Sequence, residues 1–162
     1  CNLADLQQPS NAMAPPPADQ SLVLIALGQG TQNYTCANST ATPTAIGALA
    51  QLFNASCAVA QGSLGSIEED GASIGAHFFL DDTTPDFDII GLGNTVAKKV
   101  EAVPAPQATD VPWLRLEAQQ EASTSPVRQI YRLNTVGGVA PESCQGQQGV
   151  ITVEYEAQYW IY

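Results

Sequence analysis

Val150-Ile-Thr-Val-Glu-Tyr-Glu-Ala-Gln-Tyr-Trp-Ile-Tyr162, the final stretch of the chain, decides the fold class. Val153, Tyr155, Ala157, Tyr159 and Ile161 share one side, and a period of two with β-branched and aromatic residues reads as a half-buried strand. Tyr155 and Tyr159 are therefore expected in the core, with Trp160 and Tyr162 facing elsewhere. Residues 127–134 alternate in the same way, with Val127, Gln129, Tyr131 and Leu133 against Arg128, Ile130, Arg132 and Asn134. In residues 73–80, Ile74, Ala76, Phe78 and Leu80 oppose Ser73, Gly75, His77 and Phe79.

Further strands are read at residues 22–27, 31–36, 87–90, 95–103 and 111–118, the last with Pro112 at its start, where a missing N–H is tolerated. Gly28-Gln-Gly30 reads as a turn between the first two. Residues 44–54 are rich enough in Ala and Leu for a helix, but Gly47 and Phe53 favour a strand. Turns or loops fall at residues 62–71, with Glu68-Glu-Asp-Gly71 as the marker, and at 81–85, 104–110 and 137–149. The pattern predicts an all-β protein, an antiparallel sandwich or flattened barrel of about eight or more strands. Residues 1–20, with Pro15-Pro16-Pro17, read as an arm tied to the surface by Cys1, and residues 21–162 as a single β domain.

The chain has 162 residues, with 16 acidic and 5 basic side chains and a net charge of −11. Such a surface repels phosphate backbones and anionic lipids, so nucleic-acid and membrane partners are not expected. No apolar run approaches the ~20 residues of a membrane helix. With no basic stretch ahead of an apolar one at its start, the chain is expected to be processed, secreted, extracellular and monomeric. Three N-x-[ST] triplets, at Asn33, Asn38 and Asn54, add an expectation of glycosylation. Cys1, Cys36, Cys57 and Cys144 contain no CxxC pair and have one histidine for company, which excludes zinc and thioredoxin chemistry on spacing. Two disulfides are expected, with three connectivities open.

Few motifs suggest chemistry. Gly71-Ala-Ser73-Ile-Gly75 matches a hydrolase elbow in letters, but it runs into a strand, and His77 lies about 13 Å further along it. Gly28-Gln-Gly30 lacks the third glycine and the helix of a dinucleotide site. No cofactor is expected. Glu154 and Glu156 share a strand face and read as a solvated pair, matched across the sheet by Arg128 and Arg132. His77 is the one histidine, and Asp81, Asp82, Asp86 and Asp88 follow it; the default reading is a buried, hydrogen-bonded histidine beside a solvated acidic turn, with no metal, and Asp81, Asp86 and Asp88 are the candidate ligands if there is one. The expected ligand site combines His77 with the polar residues Gln32, Tyr34, Arg132 and Asn134.

Several blocks then carry a resemblance: Gly28-Gln-Gly-Thr-Gln-Asn-Tyr-Thr-Cys36, Ile74-Gly-Ala-His-Phe78, Val111-Pro-Trp-Leu-Arg-Leu-Glu-Ala118, Arg132-Leu-Asn-Thr-Val-Gly-Gly-Val-Ala-Pro141 and Tyr155-Glu-Ala-Gln-Tyr-Trp-Ile-Tyr162. In this order they resemble a secreted family of unknown function, found mainly in fungi with bacterial relatives, whose fungal members are often labelled malate dehydrogenase. The label has no support in the residues, which contain neither a dinucleotide fold nor a His/Asp/Arg set for a 2-hydroxy acid. The resemblance implies a secreted β domain. It also implies the pairing Cys36–Cys144 and Cys1–Cys57, because the bacterial pattern carries only the cysteines matching Cys36 and Cys144. The leading expectation is non-catalytic binding of a carbohydrate or cell-wall component. The alternatives are an extracellular hydrolase using carboxylates near His77, and a structural or host-interaction protein with no small ligand.

Overall fold

The computed structural model describes residues 1–63 and 71–162; the turn read at residues 68–70 lies outside the described residues. The strands are β1 (Leu24–Cys36), β2 (Thr44–Asn54), β3 (Gly75–Asp81), β4 (Thr84–Ile89), β5 (Gly93–Val103), β6 (Trp113–Ala118), β7 (Gln129–Gly137) and β8 (Gly149–Ile161). One helical turn, α1 (Ser56–Ala60), follows β2, and a 3₁₀ turn at Gln120–Ala122 follows β6. Each strand pairs antiparallel with the next, and β8 returns to β1, closing an eight-stranded barrel. The closing ladder runs in unbroken register from Leu24 opposite Ile161 to Cys36 opposite Gly149. Closure pairs the first strand with the last, so neither end of the strand order is an open edge, and the short β2–β3 ladder is the weak seam.

The alternation in β8 sorts its side chains as the sequence suggests. Tyr155, Ala157, Tyr159 and Ile161 point inward, where they meet Ala26, Ala50, Leu52, Phe87, Leu116 and Ile130. An eight-stranded barrel is just wide enough for side chains to fill, so large rings here sit beside alanine and glycine. Trp160, at 1 % exposure, points outward yet is buried. It belongs to a second apolar layer with Met13, Ile25, Leu27, Trp113, Tyr131 and Leu133, covered by Leu6, Leu22 and Val59. The N-terminal segment is stitched across this layer: Tyr131 Oη donates to the Ala14 carbonyl at 2.8 Å, and Gln8 Nε2 donates to Tyr162 Oη at 3.1 Å. Ala14 N–H also donates to Glu101 Oε2 at 3.2 Å. The apolar run in residues 22–27 thus has a physical cause, since β1 is covered on both faces.

Two expectations are corrected. Gly28-Gln-Gly30 is not a turn between strands, because both glycines lie inside the single strand β1. They mark close approach instead. A Cβ on Gly30 would fall 1.9 Å from the Leu49 carbonyl oxygen, and one on Gly28 would fall 2.6 Å from the Tyr159 ring. Nor do Arg128 and Arg132 match Glu154 and Glu156 across the sheet. Arg132 stands opposite Tyr159 in the β7–β8 ladder and so shares the inward face with it. Glu156 faces outward and accepts from Gln29 Nε2 at 2.9 Å. Arg128 lies against the Gln120 side chain, whose amide, turned so that its oxygen faces the guanidinium, would accept from Nε and Nη1 at 2.8 and 3.0 Å.

The disulfides are Cys1–Cys57, joining the N-terminal tip to α1, and Cys36–Cys144, joining the end of β1 to the loop before β8. This is the pairing that the resemblance implies. No helix among the described residues is long and apolar enough to cross a membrane.

Candidate functional site

One end of the barrel is not filled. The β2–β3 ladder is only three rungs long, from Ala50 opposite His77 to Leu52 opposite Gly75. Beyond His77 the two strands are held apart by Phe79, which packs over Gly47 so closely that a Cβ there would lie 2.7 Å from the ring. Gly47 also has φ +127°, at the register shift where β1 and β2 bend. Where the strands part, a cup of about 620 Å³ opens into the interior. Its walls are Phe79, Pro85, Val111, Leu114 and Leu116; Gln32, Tyr34, His77, Arg132 and Tyr159 supply polar atoms; Asp82, Thr83, Lys98 and Lys99 stand at its rim.

Four of the five residues read from the sequence as a ligand site, His77, Gln32, Tyr34 and Arg132, line this cup. They come from β3, β1 and β7, which the barrel wraps around one axis. Asn134 lies elsewhere. Its backbone has φ +47°, and the β7–β8 register shifts between Leu133 and Val136. This bulge turns Asn134 outward, where its amide donates to Gln158 Oε1 at 3.2 Å, and aims Thr135 inward onto the Val111 carbonyl at 2.6 Å.

His77 is 3 % exposed. Its ring stacks on Phe87 at 4.1 Å between centroids and meets Tyr159 edge-on at 5.3 Å. Nδ1 lies 2.8 Å from the Asp86 carbonyl, which only accepts, so the neutral ring carries its proton on Nδ1 and leaves Nε2 as an acceptor. Burial, above all, holds the imidazole pKa down to about 4; the Asp86 carbonyl opposes the shift and the nearby Arg132 charge adds to it. Because the folded value lies below the unfolded one, near 6.5, the unfolded chain binds the proton first as pH falls. His77 therefore contributes stability that is complete above about pH 6.5 and is lost between there and pH 4, on the order of 3 kcal/mol in total. The expected result is a single histidine resonance that does not titrate from pH 8 to 5, with an acid limb of stability that His77→Gln removes. A midpoint near 6.5 in the folded protein would refute this account.

Arg132 is 8 % exposed. Its Nε and Nη2 donate to the Pro112 carbonyl at 3.1 and 2.8 Å. The Tyr159 hydroxyl approaches the same guanidinium and is held 2.9 Å from the Tyr155 hydroxyl; burial raises both phenol pKa values. Among the described residues both ion pairs within 4 Å belong to Arg115, with Glu101 and Glu117. Arg132 is thus a nearly enclosed cation with a carbonyl and a phenol as neighbours and no acidic partner. Gln32 Nε2 is buried without a hydrogen bond. Tyr34 Oη donates to the Gly138 carbonyl at 2.5 Å, and burial raises its pKa.

The acidic residues after His77 do not gather around it. Asp81 caps its own hairpin turn, accepting from Thr83 N–H at 2.9 Å and from the Thr84 hydroxyl, which hold its pKa below the usual carboxylate range. Phe87 faces His77 across the β3–β4 ladder, so Asp86 and Asp88 on either side of it face away. The Asp86 carboxylate accepts from Asn94 Nδ2 at 2.5 Å, and burial raises its pKa. No group of three or more His, Cys, Asp or Glu residues among those described is placed to hold a metal ion. Asn38 and Asn54 are exposed and Asn33 is partly so.

Lys98 and Lys99 are cup residues that strand reading alone does not single out, whereas the alternation already puts Phe79 on the His77 face and Tyr159 in the core.

The geometry defines a class, a closed antiparallel barrel with an open cup of mixed polarity at one end. The chain belongs to the family described as "Protein of unknown function (DUF3455)", whose model matches residues 17–162. No curated protein matches the chain, and no solved structure does.

Proposed function

We propose that this is a secreted, non-catalytic binding protein whose barrel cup takes one small organic ligand. The observation that carries the reading is the cup itself. Its volume of about 620 Å³ falls within the ~300–1,000 Å³ of ordinary ligand sites, with apolar walls and a few converging polar groups. Catalysis finds less support: the carboxylates of Asp86 and Asp88 face away from His77, and among the described residues Asp82 at the rim is the one acidic side chain lining the cup. The barrel is antiparallel throughout, without the βαβ unit that a dinucleotide needs.

Carbohydrate or cell-wall binding is kept within this reading in a narrower form. Both tryptophans are buried, Trp113 at 6 % and Trp160 at 1 % exposure, so neither offers a flat stacking platform for a polymer. A sugar would enter the cup as a soluble mono- or oligosaccharide. The two disulfides support an extracellular setting, and Asn33, Asn38 and Asn54 are the glycan positions that go with it.

A thermal-shift screen of the native protein with soluble sugars, organic acids, alcohols and aromatic compounds tests the proposal. A true ligand at about a hundred times its Kd should raise Tm by roughly 5–10 °C. Ala102→Trp, at the cup wall, should abolish that shift while leaving the unliganded Tm nearly unchanged. A panel-wide absence of shift, or a shift that survives Ala102→Trp, sinks the reading.

A further inference from the structure

We infer that the cup selects small organic acids and anchors their carboxylate on Arg132. The inference rests on the cup being the ligand site and adds the chemical class of what enters it.

The first observation is where the positive charge lies. In a chain of net charge −11 with five basic side chains, Lys98, Lys99 and Arg132 are all at this one cavity, against Asp82 as its acidic member among the described residues. None of the three makes an ion pair within 4 Å among the described residues. An acidic protein that collects most of its cations, unpaired, around one opening presents a local positive field to solutes.

The second observation is the geometry of Arg132. The Pro112 carbonyl takes the Nε–Nη2 edge of the guanidinium, which fixes the plane of the group. A guanidinium has five N–H donors, and the end-on edge, with one hydrogen on each terminal nitrogen, is the edge that matches two carboxylate oxygens. Pro112 does not occupy that edge, and the Tyr159 hydroxyl, which approaches the same guanidinium, is the neutral neighbour that a carboxylate would join or displace. The buried Gln32 amide nitrogen, near the Tyr155 phenol but without a hydrogen bond of good geometry, lines the same cup and is a further donor for an oxyanion.

The third observation concerns the rest of the ligand. Phe79, Val111, Leu114 and Leu116 form apolar walls, which suit an alkyl or aryl body. A monocarboxylate satisfies both ends. A phosphate ester would bring two charges to a single buried fork, with the lysines out at the rim, and so fits less well.

The test is calorimetric titration of the intact, disulfide-bonded protein with matched pairs: 3-phenylpropanoate against 3-phenylpropan-1-ol, octanoate against octan-1-ol, and phenyl phosphate as the competing anion. The acids should bind at least tenfold more tightly than their alcohols, and more tightly than the phosphate. Arg132→Gln should erase the acid preference and leave alcohol affinity in place. Lys99→Gln, at an exposed position, should weaken the acids a few-fold and flatten their salt dependence. If Arg132→Gln does not fold, the wild-type acid-to-alcohol ratio and Lys99→Gln decide. Alcohols binding as well as acids, or phosphate binding best, would overturn the inference and leave the cup reading standing. Binding of none of the five compounds would overturn both.

Discussion

Gly30→Ala is expected to be among the most damaging single substitutions in this protein, lowering stability by about 3 kcal/mol or more. Its added methyl would sit 1.9 Å from the Leu49 carbonyl oxygen and 2.6 Å from Ala50 Cα. Both are backbone atoms of the paired strand, so no side-chain rotation relieves the clash. β1 and β2 would have to separate, and the β1–β2 ladder with Gly30 opposite Ala50 at its centre would open. Gly62→Ala is the control: it has φ +67° and nothing within 4 Å, so it should show backbone strain alone, roughly 1–2 kcal/mol. Urea denaturation of both variants, followed by tryptophan fluorescence, separates the outcomes. A Gly30→Ala protein with a midpoint equal to that of Gly62→Ala would show that the two strands are not so closely apposed.

The second large effect is expected from Cys36→Ala/Cys144→Ala. This disulfide spans 108 residues, and constraining so long a loop in the unfolded chain is worth up to about 4.7 kcal/mol in the chain-entropy model, with measured losses of native disulfides at 2–5. Both sulfurs are enclosed, at 2 % and 0 % exposure, so alanine avoids burying a hydroxyl that serine would add. Beyond the disulfide, the backbone tie of the Cys144 loop to this end of the barrel is Cys144 N–H to the Ala41 carbonyl at 3.0 Å. The variant should unfold at clearly lower denaturant with the Cys1–Cys57 bond intact, and a shift below about 1 kcal/mol would refute the entropic account. Cys1–Cys57 closes a shorter, 56-residue loop, for which the same model gives a slightly smaller value.

Strand identity was legible wherever side chains alternated, as in β8 and β3, but in β3 the apolar face is the outward one, with Leu80 58 % exposed, and His77 points inward. It was least legible in β1, where both faces are covered: Ala26 and Gly28 look into the barrel while Ile25 and Leu27 lie under the N-terminal segment. Two glycines in such a strand look like a turn until the neighbours that exclude a Cβ are known. Of the candidate site, His77, Gln32, Tyr34 and Arg132 were within reach because polar residues with inward parity on different strands converge once a barrel closes. Asn134 has the same parity as Arg132, but a bulge intervenes, and parity arguments fail across a bulge. The aspartates after His77 were misleading for a related reason: proximity in sequence across a hairpin sets Asp86 and Asp88 on the opposite side of the sheet from the histidine.

The long β1–β8 ladder joins nearly the first and last segments of the chain, and this bears on biosynthesis. At 5–20 residues per second, β1 leaves the ribosome on the order of ten seconds before β8 exists. Until then its apolar run has β2 on one side and an unsatisfied edge on the other. Native topology therefore cannot be reached until β8 has been made, through contacts of high sequence separation, which places this barrel among slow folders. It also leaves a window in which a neighbouring nascent chain can supply the missing edge, so yield in a heterologous host should depend on how many copies are folding side by side.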